Sequence, residues 1–165
     1  MMLNNLIFKI LISMDNAKLS ELIRSFDKEV EIKKGKQFLE ISVPASNLYR
    51  IASQLKENED TFFDFLFCLS GVDYGNDLGV IYHIRSTKYN HSVVIKTRIS
   101  DRKNPSIDSV TDIWKAAEYH EREVFDLLGI KFKNHPDLRR FFLSKSWGYP
   151  LRKDYVDNIN IVTKS

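Results

Sequence analysis

Two stretches joined by a short polar turn constrain this chain more than any other feature. Between Leu78 and Ser86, Val80, Tyr82 and Ile84 alternate with Ile81, His83 and Arg85; between His91 and Ile99, Val93, Ile95, Thr97 and Ile99 share one face. A period of two sends successive side chains to opposite faces of a strand. Lys88-Tyr89-Asn90 supplies a turn, so the pair predicts two antiparallel strands with one buried face. A chain carrying such a ribbon must cover that face with something apolar, and helical periodicity elsewhere offers the cover.

Residues 16–27 place Leu19, Leu22, Ile23 and Phe26 at helical spacing behind an Asn16 cap. Val30 to Lys34 and Phe38 to Val43 read as strands joined at Lys34-Gly35-Lys36, and Pro44 ends the second. Ser46 is expected to cap a helix from Asn47 to Lys56, with Leu48, Ile51, Ala52 and Leu55 inward. Thr61 to Leu69 is aromatic and apolar and reads as strand-like, with helix as the alternative for part of it. A last helix is predicted from Ser109 or Thr111 to Leu128, stopped by Gly129. The expected class is α+β: a mostly antiparallel sheet with packed helices over residues 1–130. An irregular basic and aromatic tail over 131–165 is expected to belong to the same structural unit.

Composition then excludes function classes. A chain of 165 residues with 43% apolar content suits one domain with a real core. The single cysteine, Cys68, forms no internal disulfide and holds neither an iron–sulfur cluster nor a Cys-rich zinc; it reads as a buried, inert thiol. Leu3 to Met14 is apolar but broken by Asn4, Asn5 and Lys9, which predicts neither a signal peptide nor a membrane span. The expectation is a soluble, cytosolic protein that meets a membrane only through partners. Phosphate-loop, dinucleotide, nucleophile-elbow and His-Glu-x-x-His patterns are absent; His120-Glu121-Arg122-Glu123 lacks the second histidine.

Three features stand out. In the last helix Trp114, Ala117, Glu121, Val124 and Leu128 form one apolar stripe that Glu121 interrupts. A carboxylate there is anchored by an arginine from the tail, is a perturbed group serving a reaction or proton path, or lies in a stripe that is not fully buried. Glu118, Arg122 and Asp126, at i, i+4 and i+8, are placed to pair along the helix. The second feature is His135-Pro136-Asp137-Leu138-Arg139-Arg140. Its histidine reads as a hydrogen-bonded loop residue, and its arginines suit bidentate contacts to carboxylates. The third is Trp147-Gly148-Tyr149-Pro150-Leu151-Arg152-Lys153-Asp154-Tyr155, whose aromatics and cations fit a protein interface or single-stranded nucleic acid alike.

The run from Glu121 to Phe132, then His135 to Arg140, then Gly148 to Tyr155 together resemble the 30 kDa, or C-type, subunit of proton-pumping NADH:quinone oxidoreductase, respiratory complex I. The likeness runs from about Thr61 to Val162, with weaker stretches at Gly71-Val72-Asp73-Tyr74 and Trp114 to Ala117; the first sixty residues match in pattern alone. Phe141, Ser144-Lys145-Ser146 and Val156 depart from the usual residues there. The resemblance implies a cofactor-free core subunit of the peripheral arm at the cytoplasmic face of the membrane. It would dock on the large quinone-site subunit beside iron–sulfur subunits. NADH, FMN, the clusters and quinone would belong to partner subunits of this translocase. The implied signature and docking residues are Glu121, Arg122, Glu123, Asp126, Gly129, His135, Pro136, Asp137, Arg139, Arg140, Pro150, Arg152, Lys153 and Asp154. An equivalent subunit of a membrane-bound hydrogenase is the sibling alternative; a free nucleic-acid module and a hydrolase using Glu121 and His135 are the others.

Charge sharpens the expectation. The whole chain carries only +3, yet residues 131–153 hold seven cations against Asp137 alone, a net of +6. That local excess predicts docking of the tail on an acidic groove.

Overall fold

The computed structural model describes residues 15–157. Among the described residues seven strands and three α-helices follow one another: α1 (Asn16–Phe26), β1 (Glu31–Lys34), β2 (Leu39–Ser42), α2 (Leu48–Glu57), β3 (Phe65–Asp73), β4 (Leu78–Ser86), β5 (His91–Lys96), β6 (Ser106–Asp108), α3 (Ala117–Leu128) and β7 (Lys131–Lys133). The first five strands form one sheet in the order β1-β2-β5-β4-β3. Its pairs are antiparallel except β2 with β5. The α+β class, the mostly antiparallel sheet and the packed helices are as the residue patterns predict.

The β4–β5 ribbon is the centre of the sheet, with Tyr82 opposite Ile95 and Ile84 opposite Val93. Val80, Tyr82, Ile84, Val93 and Ile95 are fully buried. They meet Leu19 and Ile23 of α1 and Leu48, Ile51, Ala52 and Leu55 of α2 in one core. Burial of a large aliphatic side chain contributes about 1.5–3 kcal/mol, so this two-layer packing carries the fold. The ribbon turns through Asn90, held at φ 57° with its N–H donating to Ser86 O at 2.9 Å.

Several local expectations change. The α1 cap is Asp15, not Asn16, because the chain is already helical at Asn16. Ser46 caps nothing: it lies in a 3-10 turn, Ala45–Asn47, and its hydroxyl donates to the Asn47 side chain. β3 begins at Phe65 rather than Thr61 and has a bulge between Leu66 and Cys68. Leu66 and Leu69 then face the core, while Cys68 turns outward and is half-exposed rather than buried. The predicted last helix is six to eight residues too long at its start, since α3 begins at Ala117.

The residues before α3 do something periodicity does not show. β6 pairs with β7 in parallel, Ile107 opposite Phe132, and α3 is the crossover between them. Parallel neighbours cannot be joined by a tight turn, so a helix must carry the chain back. The tail therefore opens as a strand, over Lys131–Lys133, before it becomes irregular.

Candidate functional site

The three singled-out segments meet at α3. Trp114, Ala117, Glu121, Val124 and Leu128 are all buried, so the stripe faces the core. Glu121 has no exposed surface. No tail arginine reaches it, contrary to the anchoring expectation. Its carboxylate accepts from the Ser109 hydroxyl at 2.6 Å and the Val110 N–H at 2.8 Å. The parallel β6–α3–β7 crossover brings that short loop over the helix. Burial dominates and pushes the carboxyl up to about 7, with Ser109 and Val110 pulling the other way and Asp112 adding to the rise. The His135 ring, also fully buried, sits with Nε2 4.0 Å from Glu121. Its Nε2 contacts the Glu118 carbonyl at 3.0 Å and its Nδ1 accepts from the Asp137 N–H at 3.0 Å. The first of these contacts donates from Nε2, which fits one neutral tautomer. His135 is the hydrogen-bonded loop residue expected, and it pins the tail to α3.

The expected pairing of Glu118, Arg122 and Asp126 along the helix is replaced by contacts to the tail. The Arg122 guanidinium lies 4.9 Å from the Phe141 ring centroid and 4.0 Å from Asp137. The aromatic ring of Phe141 thus gives the cation a face to stack on. Asp126 is fully buried at the centre of a turn: its Oδ2 accepts from the N–H groups of Phe141, Phe142 and Leu143 at 3.1, 2.6 and 3.0 Å. Its Oδ1 takes Arg140 Nη1 at 3.1 Å. Burial opposes the charge, but those backbone N–H groups and Arg140 hold the carboxyl below its usual range. Hydrogen bonds to a charged group contribute about 1.5–3 kcal/mol each, so Asp126 is the main anchor of the tail.

A second anchor closes the far end. Gly129 takes φ 72° and ends α3, and a Cβ on it would stand 2.6 Å from the Tyr149 ring. The Tyr149 ring has the guanidinium of Arg140 5.1 Å away and that of Arg152 4.8 Å away. Arg152 also donates to the Leu128 carbonyl at 2.7 Å. Asp73 receives Arg102 through two bonds of 2.8 and 2.7 Å, and the Lys153 N–H at 2.8 Å; Arg102 reaches on to Asp154 at 2.7 Å. The Arg102 guanidinium holds Asp73 far below the usual carboxylate range. Sequence reasoning misses both Asp73 and Arg102 as partners of the signature residues. Asp73 does carry a signal, within Gly71-Val72-Asp73-Tyr74.

The remaining signature residues face out. Glu123 and Pro136 are exposed, Pro150 half-buried, and the Arg139 side chain pairs with Asp137 at 2.8 Å, while its backbone carbonyl accepts from Arg122. Around them Tyr119, Phe142, Trp147, Leu151 and Val156 are exposed, Phe142 by 64%. Among the described residues no three His, Cys, Asp or Glu side chains gather as a metal site. None of the described helices is long and apolar enough to cross a membrane.

The arrangement is that of an α+β domain whose motif residues brace a C-terminal arm against its last helix. The family described as the respiratory-chain NADH dehydrogenase 30 Kd subunit matches residues 41–158, and the chain belongs to that family. The match starts at β2, well before the motifs at Thr61 and beyond. The chain is 39% identical over 145 residues to the C subunit of NADH-quinone oxidoreductase from Moorella thermoacetica, covering 86% of this chain and 95% of that one. It is 47% identical over 122 residues to the C/D subunit of NADH-quinone oxidoreductase from Phocaeicola vulgatus, covering 73% of this chain but 23% of the relative's length. Against the C subunit from Chloroherpeton thalassium it is 46% identical over 108 residues, 64% of this chain and 45% of that relative's length. The chain thus spans less than half the length of several curated relatives. Among solved structures it resembles a trypsin-resistant fragment of Nqo5, with TM-score 0.63 and 26% identity over 76% of this chain and 100% of that one. It also resembles a chain of an archaeal membrane-bound sulfane sulfur reductase, with TM-score 0.74 and 25% identity over 87% and 86% of the two chains.

Proposed function

We propose that this chain is a cofactor-free core subunit of the peripheral arm of a proton-translocating NADH:quinone oxidoreductase. It docks on the large quinone-site subunit and supports electron transfer from NADH to quinone through clusters, flavin and quinone held by partners. The observation that carries the reading is the use made of the signature residues. Asp126, Arg122, Arg140, Arg152 and His135 are spent on holding the tail, which then presents Phe142, Trp147, Leu151 and Val156 to the outside. Exposed aromatic and aliphatic residues gathered on a braced arm suit a protein interface. The relatives named as C/D subunits support the same reading, since there the stretch like this chain is part of a much longer polypeptide with a double name.

The docking tail is taken as residues 131–165, in one unit with 1–130, its first residues being β7. In this reading the chain lies peripherally on the cytoplasmic side of the cell inner membrane, held there through its partners. Tail charge plays a smaller part than its count suggests. Arg140 and Arg152 turn inward, which leaves lysines at the rim together with Arg139. Apolar contact then carries the docking and charge steers it. The test is co-purification of the quinone reductase assembly with Phe142→Asp. Release of this chain, with an unchanged Tm of the free chain, is expected; retention with an unchanged rate overturns the reading.

The archaeal reductase likeness favours one second reading, an equivalent subunit in a membrane-bound hydrogenase or related complex. Electron donor assays on the intact assembly separate the two: NADH oxidation supports the first, and reduction driven only by hydrogen or ferredoxin supports the second.

A further inference from the structure

α3 packs along β3, one of the two edge strands of the five-stranded sheet. A cleft of about 300 Å³ opens where they meet. Val124, Leu127 and the tail's Leu151 give it apolar walls, with Cys68 on the strand side and Glu123 on the helix side. The helix and strand touch closely at its base: a Cβ on Gly71 would stand 2.4 Å from Leu128 and 2.8 Å from Val124. Glu123 differs from its neighbours in the motif. Glu121 is satisfied by Ser109 and Val110, Arg122 lies against Phe141, and Asp126 holds the turn at 141–143. No described residue pairs with Glu123, which is exposed beside the apolar walls.

Two observations say what fits there. Leu151, 59% exposed, belongs both to the cleft and to the apolar face of the tail, so the cleft continues the docking surface. A carboxylate covered by a partner must gain a cation or suffer the cost of an unpaired buried charge. We propose that the cleft receives a segment of a partner subunit that inserts an apolar side chain between Val124, Leu127 and Leu151 and sets a lysine or arginine against Glu123. This rests on the docking reading above and extends the docked face from the tail to α3.

Cys68, the only cysteine of the chain, is a reporter inside the cleft. Its alkylation by iodoacetamide is compared in the free full chain and in the intact assembly. The expected result is a rate at least tenfold slower in the assembly, with most of that protection lost in Glu123→Lys and part of it lost in Glu123→Gln. Equal alkylation in the free and assembled chain overturns the proposal, and so does protection that Glu123→Lys leaves untouched. Slower alkylation as the free chain is concentrated also overturns it, by showing a second copy in the cleft. These failures are distinct from failure of docking itself. If Cys68 stays reactive while Phe142→Asp still releases the chain, the cleft alone is wrong; if Phe142→Asp leaves the chain bound, the docking reading is wrong.

Discussion

Glu121 is a carboxylate placed where the helical stripe calls for an apolar side chain. Its position in the stripe is legible from spacing alone, as is the need for a partner. The partner is not, because Ser109 and Val110 reach it only through the parallel crossover of β6, α3 and β7. The consequence for pH follows from the sign of the shift. The folded-state carboxyl sits at about 7, above its ordinary value of 4.5. The unfolded chain therefore releases the proton first as pH rises, so stability is highest below about pH 4.5 and declines toward pH 7. On linkage grounds the full effect is on the order of 3 kcal/mol. Glu121→Gln, which copies the protonated form, is expected to flatten that decline. Denaturant unfolding of both chains at about pH 5.5 and about pH 8, on either side of the folded-state value, reads it; parallel pH trends would show that Glu121 does not carry the proton. Cys68 teaches the same lesson from the other side. The apolar run around it reads as buried, but one bulge residue rotates the thiol out of the core.

At the scale of elements, α3 and the tail behave as one body joined at two places. Asp126 gathers three backbone N–H groups and one guanidinium, and removal of such a centre leaves all of them unsatisfied. Asp126→Ala is expected to cost about 3–5 kcal/mol, the range for breaking a buried, hydrogen-bonded charge pair. Limited proteolysis should then cut within residues 139–146 before any other segment, and a native cleavage pattern would count against the anchor. Gly129→Ala tests the second place. A left-handed residue with a Cβ costs about 1–2 kcal/mol, and here it also displaces Tyr149 from between Arg140 and Arg152. A drop in Tm with increased mobility of residues 149–155 in NMR relaxation is expected. Sequence spacing puts Glu118, Arg122 and Asp126 on one helix face but leaves their partners open. A helix surface offers i, i+4 pairs worth only about 0.2–0.5 kcal/mol, and a returning segment with preorganised N–H groups and aromatic rings outbids them.

Over the whole molecule, the +6 of residues 131–153 divides into two populations. Arg140 and Arg152 are largely covered, whereas the Arg139 side chain is exposed and pairs with Asp137 at the surface. Reversing each charge separately should therefore give different results. Arg139→Glu is expected to leave the stability of the free chain within about 0.5 kcal/mol, as for surface sites in general. Arg140→Glu is expected to destabilise it by several times more, since it sets a second carboxylate against Asp126. Thermal unfolding of the two variants, followed by co-purification at low and high salt, separates bracing from steering. Equal effects would sink the division.

Features that depend on neighbours a few positions away are readable along the chain. The alternation of Val80, Tyr82 and Ile84, the helical stripes of α1, α2 and α3, and the stop at Gly129 are all set by local backbone geometry and side-chain polarity. The three ordered motifs, together with that pattern, are enough to point to the 30 kDa subunit family. Tertiary packing decides everything that depends on which distant segments meet. It sets the parallel joins of β2 to β5 and β6 to β7, the Ser109 cap on Glu121, and the link from Asp73 through Arg102 to Asp154. It also turns Arg140 and Arg152 of the basic tail inward and several of its aromatics outward. Charge and apolarity are properties of a residue and can be counted along a chain. Burial and pairing are properties of a packed whole, in which hydrogen bonds and contacts between remote segments compete for the same groups.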